Sequence, residues 1–340
     1  AHGVDYVSIG TVPAARPGVD LGYVDVLPEV IGGTEVAFAS VQVADRGGGI
    51  HLAAIRRAAR AIAEIARSTP SGFGNLRLAV LANCGPGSPF FPASFHRGPD
   101  TTFAIATEAA DLAVEGFARA ATLEEACGNL RRAVEDAARA IEEACRDLEA
   151  EFGFRFGGID FSLAPYPEQA RSIGYAVERL GVEAFGGSGT LFATALMTQV
   201  LREARFTHCG FSGVMYPVLE DATMAQRSAE GLYTLDSLLL YSAVCGTGLD
   251  TVPLPGDVGE DELAAILLDV ATLALVADKP LTARLMPVPG KRAGDMTDFD
   301  FSYFANGRVL DVRRRGAAKI LGASIRGNDF VRLDRRPAQP

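Results

Sequence analysis

Histidine is scarce, with four residues, and the five cysteines are odd in number with no CxxC spacing among them. Neither a disulfide framework nor a structural zinc site is expected from such a set. Positive charge is also short: 32 Lys and Arg stand against 42 Asp and Glu, for a net charge of −10. This argues against nucleic acid as the principal partner, because neutralising phosphates takes concentrated Lys and Arg. No window approaches the ~18 uninterrupted apolar residues of a membrane-spanning helix, and no basic-then-apolar leader opens the chain. A cytoplasmic protein without a membrane partner is expected. Repeats at solenoid spacing and low-complexity tracts are lacking as well.

What the chain has is length and alternation. Its 340 residues, 48% of them hydrophobic, with 37 Gly and 18 Pro, suffice for one large α/β domain or two smaller ones. Short β-branched apolar runs predict strands over 5–9, 35–43, 76–81, 158–162, 182–185, 251–254 and 282–287. Amphipathic stretches between them predict helices over 51–68, 107–120, 123–151, 168–180, 190–205, 223–230, 235–242 and 260–277. Strand, helix, strand in succession implies parallel pairs with crossover helices, so the fold class is α/β. In the stretch 123–151, Leu123, Ala126, Leu130, Val134, Ala138, Ile141 and Leu148 share one face, the pattern of a packing helix whose charged side is solvated. A single domain is expected over 1–312. A basic extension over 313–340 follows, carrying Arg313, Arg314, Arg315, Lys319, Arg326, Arg332, Arg335 and Arg336, and reads as a solvated tail. The strand at 5–9 begins almost at once, which points to a missing upstream segment.

Four constellations could carry chemistry. Asp45, Arg46, Gly47, Gly48 and Gly49 join the strand ending at 43 to the helix that His51 opens. Glycines that turn amides inward, a helix N-terminus and an arginine make an anion site. Asp45 beside it suits a base or an acceptor for an ammonium group; alternatively it caps the helix or pairs with Arg46. Gly186, Gly187, Ser188, Gly189 and Thr190 form a second glycine-rich turn ahead of a helix. That turn can cradle an oxyanion or merely pack helix on strand, and it lacks the lysine of a phosphate loop. The longest irregular stretch, 82–99, holds Phe90, Phe91, Phe95 and His96, where His96 is either an acid–base group or an ordinary loop histidine. The fourth set is Ser212, Gly213, Glu220 and Asp221 followed by Cys245, Gly246, Thr247, Gly248 and Asp250. Adjacent carboxylates on an extended chain point apart, so one of Glu220 and Asp221 is expected to cap the helix near Thr223. Cys245 has no His or Lys beside it in sequence and is read as packing.

At these residues the chain resembles a known family. Gly158, Asp160, Ser162 and Pro165; Leu180, Glu183, Gly189 and Thr190; Ser212, Gly213, Pro217, Glu220 and Asp221; Cys245, Gly248, Asp250, Pro255 and Asp257; and Pro289, Gly290, Lys291, Gly294 and Asp295 are similar to uncharacterised bacterial and archaeal proteins grouped by fold with pyruvate formate-lyase. Leu81, Asn83, Pro89, Phe90, Phe95 and His96 extend the likeness upstream. The resemblance implies a pyruvate formate-lyase-like (PFL-like) α/β barrel of mixed parallel strands with surrounding helices and ligands in its mouth. Residues 325–328 do not reproduce a radical-glycine loop, so radical chemistry is not expected. Relatives usually carry a further N-terminal segment, so a small second polypeptide is expected to complete the barrel. Their loop at the position of Asp45 and Arg46 is small and hydroxylic, which suggests an acquired activity here.

The leading expectation is an enzyme of natural-product biosynthesis that closes an aziridine ring by internal displacement with loss of sulfate, similar to two-component aziridine-forming enzymes of the azinomycin type. Asp45 would act on the amine, with His96 as a second acid–base group. Arg46, Gly47, Gly48 and Gly49, or Ser188, Gly189 and Thr190, would hold the anion, and Ser212, Glu220 and Asp160 would complete the substrate contacts. The substrate is a small molecule, free or carrier-bound, and no cofactor or metal is expected. One alternative is a metabolite-binding or regulatory protein without catalysis. The other is a divalent-metal lyase or isomerase built on Asp160, Glu220, Asp221, Asp250 and Asp257.

Overall fold

A computed structural model describes residues 4–322 and 329–333. Arg326, Arg335, Arg336 and the stretch 325–328 lie outside these residues.

The chain opens with β1 (Val7–Val12), two short helices, α1 (Gly22–Asp25) and α2 (Leu27–Gly33), and then β2 (Ala37–Asp45). Strand β2 is buried along almost its whole length, because it pairs in parallel with β1 on one side and with β4 (Leu78–Ala82) on the other. A turn separates it from β3 (Gly49–His51), which runs antiparallel to it and leads into α3 (Leu52–Ser68). Leu52, Ile55, Ala58, Ile62 and Ile65 form the buried face of α3. Beyond β4, β5 (Thr102–Ala106) pairs in parallel with β6 (Arg155–Asp160), with α4 (Ala110–Ala118) and α5 (Leu123–Phe152) between them.

The long α5 has clear sequence causes. The Thr122 hydroxyl accepts the Glu125 amide at 3.1 Å, and the Glu125 carboxylate accepts the Ala121 amide at 2.8 Å. Gly153, in the left-handed region at φ 71°, ends the helix. Ala126, Leu130, Val134 and Ala138 are buried as expected, but Leu123 and Leu148 are 48% and 42% exposed, so the packed stripe is shorter than the heptad-like spacing suggests.

After β6 come α6 (Ile173–Arg179), α7 (Thr190–Glu203), α8 (Ala222–Ala229) and α9 (Leu235–Ser242). Strand β7 (Gly248–Pro255), α10 (Glu260–Ala277) and β8 (Leu281–Val288) follow, and α11 (Ala318–Gly322) and β9 (Phe330–Val331) close the described chain. Both β7 and β8 are buried at every residue. Strand β8 pairs in parallel with β7 and antiparallel with β4, and β9 pairs antiparallel with β3.

Single bridges at Ile159–His208, Leu163–Val214 and Pro217–Asp250 tie β6, the segment 208–217 and β7 together. The strands therefore follow one another as β5, β6, 208–217, β7, β8, β4, β2 and β1. The molecule is a mixed α/β protein with a parallel-rich, mixed sheet, and among the described residues no ladder joins β1 to β5. Ser8–Gly10 of β1, Thr102–Ala104 of β5 and the loop 87–96 instead line a slot of about 550 Å³. On and beside β1, Tyr6, Val7 and Ile9 are 56%, 41% and 52% exposed.

The predicted strand at 182–185 is a set of turns. Its apolar content serves one anchor, Phe185, which is fully buried against the rings of Tyr216, Tyr233 and Tyr241. No helix among the described residues is long and apolar enough to cross a membrane.

Candidate functional site

A buried arginine in the middle of a strand has to be matched by acceptors, since an uncompensated interior charge is costly. Arg284 in β8 is 9% exposed and has two. Its Nε donates to Asp250 of the neighbouring β7, and its Nη2 donates to Glu220 Oε1 at 2.8 Å. Strand β7 aims Asp250 through an irregularity of pairing between Leu249 and Val252, where Thr251 adopts φ 39°. Bulges and strained residues of this kind gather beside functional sites. Glu220 arrives on the turn after Pro217, which is held to β7 by the Val218 amide on the Asp250 carbonyl at 3.0 Å.

These groups line a cavity of about 210 Å³ with Phe90, Phe91, Phe211 and Met215 for walls. Burial pushes the Glu220 carboxyl up to about 7; Arg284 opposes the rise, and Asp250 and Glu108 add to it. Burial works against the Arg284 charge too, but Asp250 and Glu220 hold the guanidinium ionised. Nη1 of Arg284 makes no hydrogen bond among the described residues, and the hydroxyl of Thr247, in the cavity wall and 3% exposed, has no partner. A glutamic acid that titrates near neutrality, a spare guanidinium donor and an unused hydroxyl thus face one largely apolar space.

Of the residues singled out in the sequence, Glu220, Asp250, Thr247, Phe90 and Phe91 come together here, with Pro165 and Pro217 beside them, while the other expected site residues lie elsewhere. Asp45 and Gly49 close a β-hairpin, so β3 stands between the glycines and α3 and no helix N-terminus faces them. The Asp45 carboxylate accepts the Gly48 amide at 2.7 Å, and Arg46 pairs with Asp278. A Cβ on Gly48 would lie 2.1 Å from the Ala15 carbonyl oxygen, and one on Gly49 2.5 Å from that of Val331. Gly48 and Gly49 thus allow close backbone packing in this hairpin.

Thr190 closes its own turn by accepting the Gly186 amide at 3.1 Å, while Ser188 and Gly189 border a separate groove beside Val182 and Phe192. His96 lies in the slot beside β1, its Nε2 2.9 Å from the Gly98 carbonyl. Asp160 is fully buried; its oxygens accept the amides of Phe211 and Ser212, each at 2.7 Å, and Ser212 Oγ accepts the Phe161 amide. Asp221 is the expected cap: it takes the Met224 amide at 2.8 Å and also the Ser172 hydroxyl and Ile173 amide. Asp257 pairs with Arg314 at 2.7 Å. The five carboxylates of the metal reading therefore fall into four separate networks, and among the described residues no three or more His, Cys, Asp or Glu side chains cluster as metal ligands. Cys245 Sγ accepts the Gly248 amide at 3.3 Å inside the core.

Arg284 was not singled out in the sequence, and Thr247 stood in the fourth set without a role of its own. A lone arginine inside the apolar run 281–288 was the available signal, because a charge at a strand centre implies a partner or a function.

The family model described as Uncharacterised ACR (DUF711) matches residues 1–305. The chain belongs to the DUF711 family. Among curated relatives of this DUF711 protein, the UPF0210 protein of Pyrobaculum arsenaticum is 38% identical over 326 residues, covering 92% of this chain and 70% of that protein. The UPF0210 proteins of Desulforudis audaxviator and Methanopyrus kandleri are each 34% identical, over 305 and 313 residues, and each is covered to 67% of its length. These are uncharacterised proteins, not aziridine synthases, and their names carry no sulfate elimination or natural-product pathway. The expected aziridine chemistry is thereby overturned for this DUF711 chain.

Proposed function

We propose that the chain is a proton-transfer enzyme acting on a small, largely apolar carbonyl or carboxylate compound in the cavity over Glu220 and Arg284. The observation that carries this reading is a carboxyl raised to about 7 within hydrogen-bond distance of a buried guanidinium in an apolar-walled cavity. A general base works best when its pKa lies near the working pH. The Glu220 carboxylate takes a proton from the carbon next to the carbonyl. The electron pair moves onto the carbonyl oxygen, where Arg284 Nη1 and the Thr247 hydroxyl donate to the developing charge. Protonated Glu220 then returns the proton.

The test combines two readouts. Carboxyl carbon NMR of Glu-labelled protein should show one titration midpoint near 7 that Glu220→Gln removes. A panel of small 2-keto acids in D2O should show deuterium wash-in that the same variant slows by about 10²-fold or more. A Glu220 midpoint in the ordinary carboxylate range, or undiminished wash-in by the variant, overturns the proposal.

The finer fold reading is also proposed: a pyruvate formate-lyase-like barrel completed by a further polypeptide. Its support is the strand succession that ends at β1 and β5, which among the described residues share no ladder and both line one slot.

A further inference from the structure

The loop 209–213 also lines a second cavity, of about 270 Å³. It is lined by Thr198, Arg202, His208 and Lys279, and no Asp or Glu contributes to its wall. In a chain of net charge −10, an acid-free pocket lined by an arginine and a lysine is a local inversion of the overall field.

Each polar group there has unused capacity. Thr198 and Arg202 lie four residues apart on α7 and so share a face. Arg202 makes no ion pair or hydrogen bond among the described residues, although its chain neighbour Glu203 pairs with Arg131. Lys279 is 6% exposed; its Nζ donates to the carbonyls of Ser242 and Cys245, and the third ammonium proton is left over. Burial depresses the Lys279 pKa, Cys245 partly offsets this, and Arg202 lowers it further, as expected for two cations without an anion between them. Thr198 is 4% exposed, and its hydroxyl has no hydrogen-bond partner. Such an orphan is unusual in a folded protein and marks a place where something polar is missing. His208 Nε2, 3.0 Å from the Ala204 carbonyl, must carry the proton, and Nδ1 stays free. The buried Asp160 is directed at the amides of Phe211 and Ser212 on the loop itself.

We propose that this pocket is a binding site for a phosphoryl oxyanion, as free phosphate or as the monoester of a small molecule, held by Arg202, Lys279 and the Thr198 hydroxyl. It is separate from the Glu220 cavity and does not depend on the function assigned there.

The experiment is calorimetric titration of the full chain with inorganic phosphate and with glycerol phosphate, at constant ionic strength balanced with chloride. Saturable binding is expected, weakened about tenfold by Arg202→Gln and by Thr198→Val, the loss of one hydrogen bond to a charged group in each case. Thr198→Val keeps the shape and removes an unpaired hydroxyl, so its melting temperature should stay level or rise while binding falls. That separates a ligand contact from a structural one. Tighter binding of the monoester identifies an organic phosphate; equal binding identifies the free ion. No saturable heat with either probe, or binding that both variants leave intact, overturns the proposal.

Discussion

At the scale of single residues, the molecule separates acids that ionise to hold structure from one that is poised to change state. Asp160 is the structural extreme: three donors converge on its two oxygens, and a Cβ on Gly210, which sits at φ 58°, would lie 2.0 Å from Oδ2. Burial raises its carboxyl to about 6 against those hydrogen bonds. Asp160→Asn turns one acceptor into a donor facing an amide or hydroxyl. It should cost about 2 kcal/mol, read as a lower denaturant midpoint, because a buried donor is left unsatisfied. Glu220 behaves differently. Its folded pKa lies above the unfolded value, so between about 4.3 and 7 the folded chain holds a proton that the unfolded chain has released. Its contribution is therefore full below that range and is lost as pH rises through it. Denaturation of wild type minus Glu220→Gln should isolate this decline, and a difference that is flat from pH 5 to 8 would contradict it.

At the scale of elements, legibility followed the presence of local signals. Helix α9 was readable to the residue because Thr234 and Ser237 cap each other's ends, and α10 because an acidic first turn opens it and Asp278, at φ 54°, stops it. Strand β3 was not, since three residues carry no period. Its glycines look the same whether they expose amides to an anion or let backbones approach. The hairpin reading makes its own forecast. Gly48→Ala should destabilise by about 1–3 kcal/mol, since the Ala15 backbone would have to move. Arg46→Gln, at an exposed pair, should stay within about 0.5 kcal/mol by thermal or chemical denaturation. Comparable losses from both would favour a buried role for the arginine. The site was half legible for a related reason. Glu220 stands beside Asp221 after Pro217, in an irregular stretch where polar residues draw notice, whereas Arg284 and Lys279 sit in or beside an apolar strand and gain meaning only from neighbours 34 or more residues away.

At the scale of the whole molecule, two cavities share one lining residue. Phe211 borders both, and Gly213 and Gly246 pass so closely that a Cβ on Gly213 would lie 2.5 Å from the Gly246 Cα. The sheet that carries them ends in two edges. Amide hydrogen exchange on the isolated chain should find the outward amides of β1 and β5 open while those of β2 and β4 are protected. Addition of a polypeptide that completes the sheet should close them. Equal protection of β1 and β2 in the isolated chain would mean that the edge is already covered. The same edge has a colloidal consequence. A strand bordered by Tyr6, Val7 and Ile9 that among the described residues joins no ladder besides β2 is a template for any other extended chain, including a second molecule of its own kind. With the net charge of −10 as the opposing force, salt should decide how concentrated a solution of this protein remains clear, because screening removes the repulsion and leaves the edge as it was.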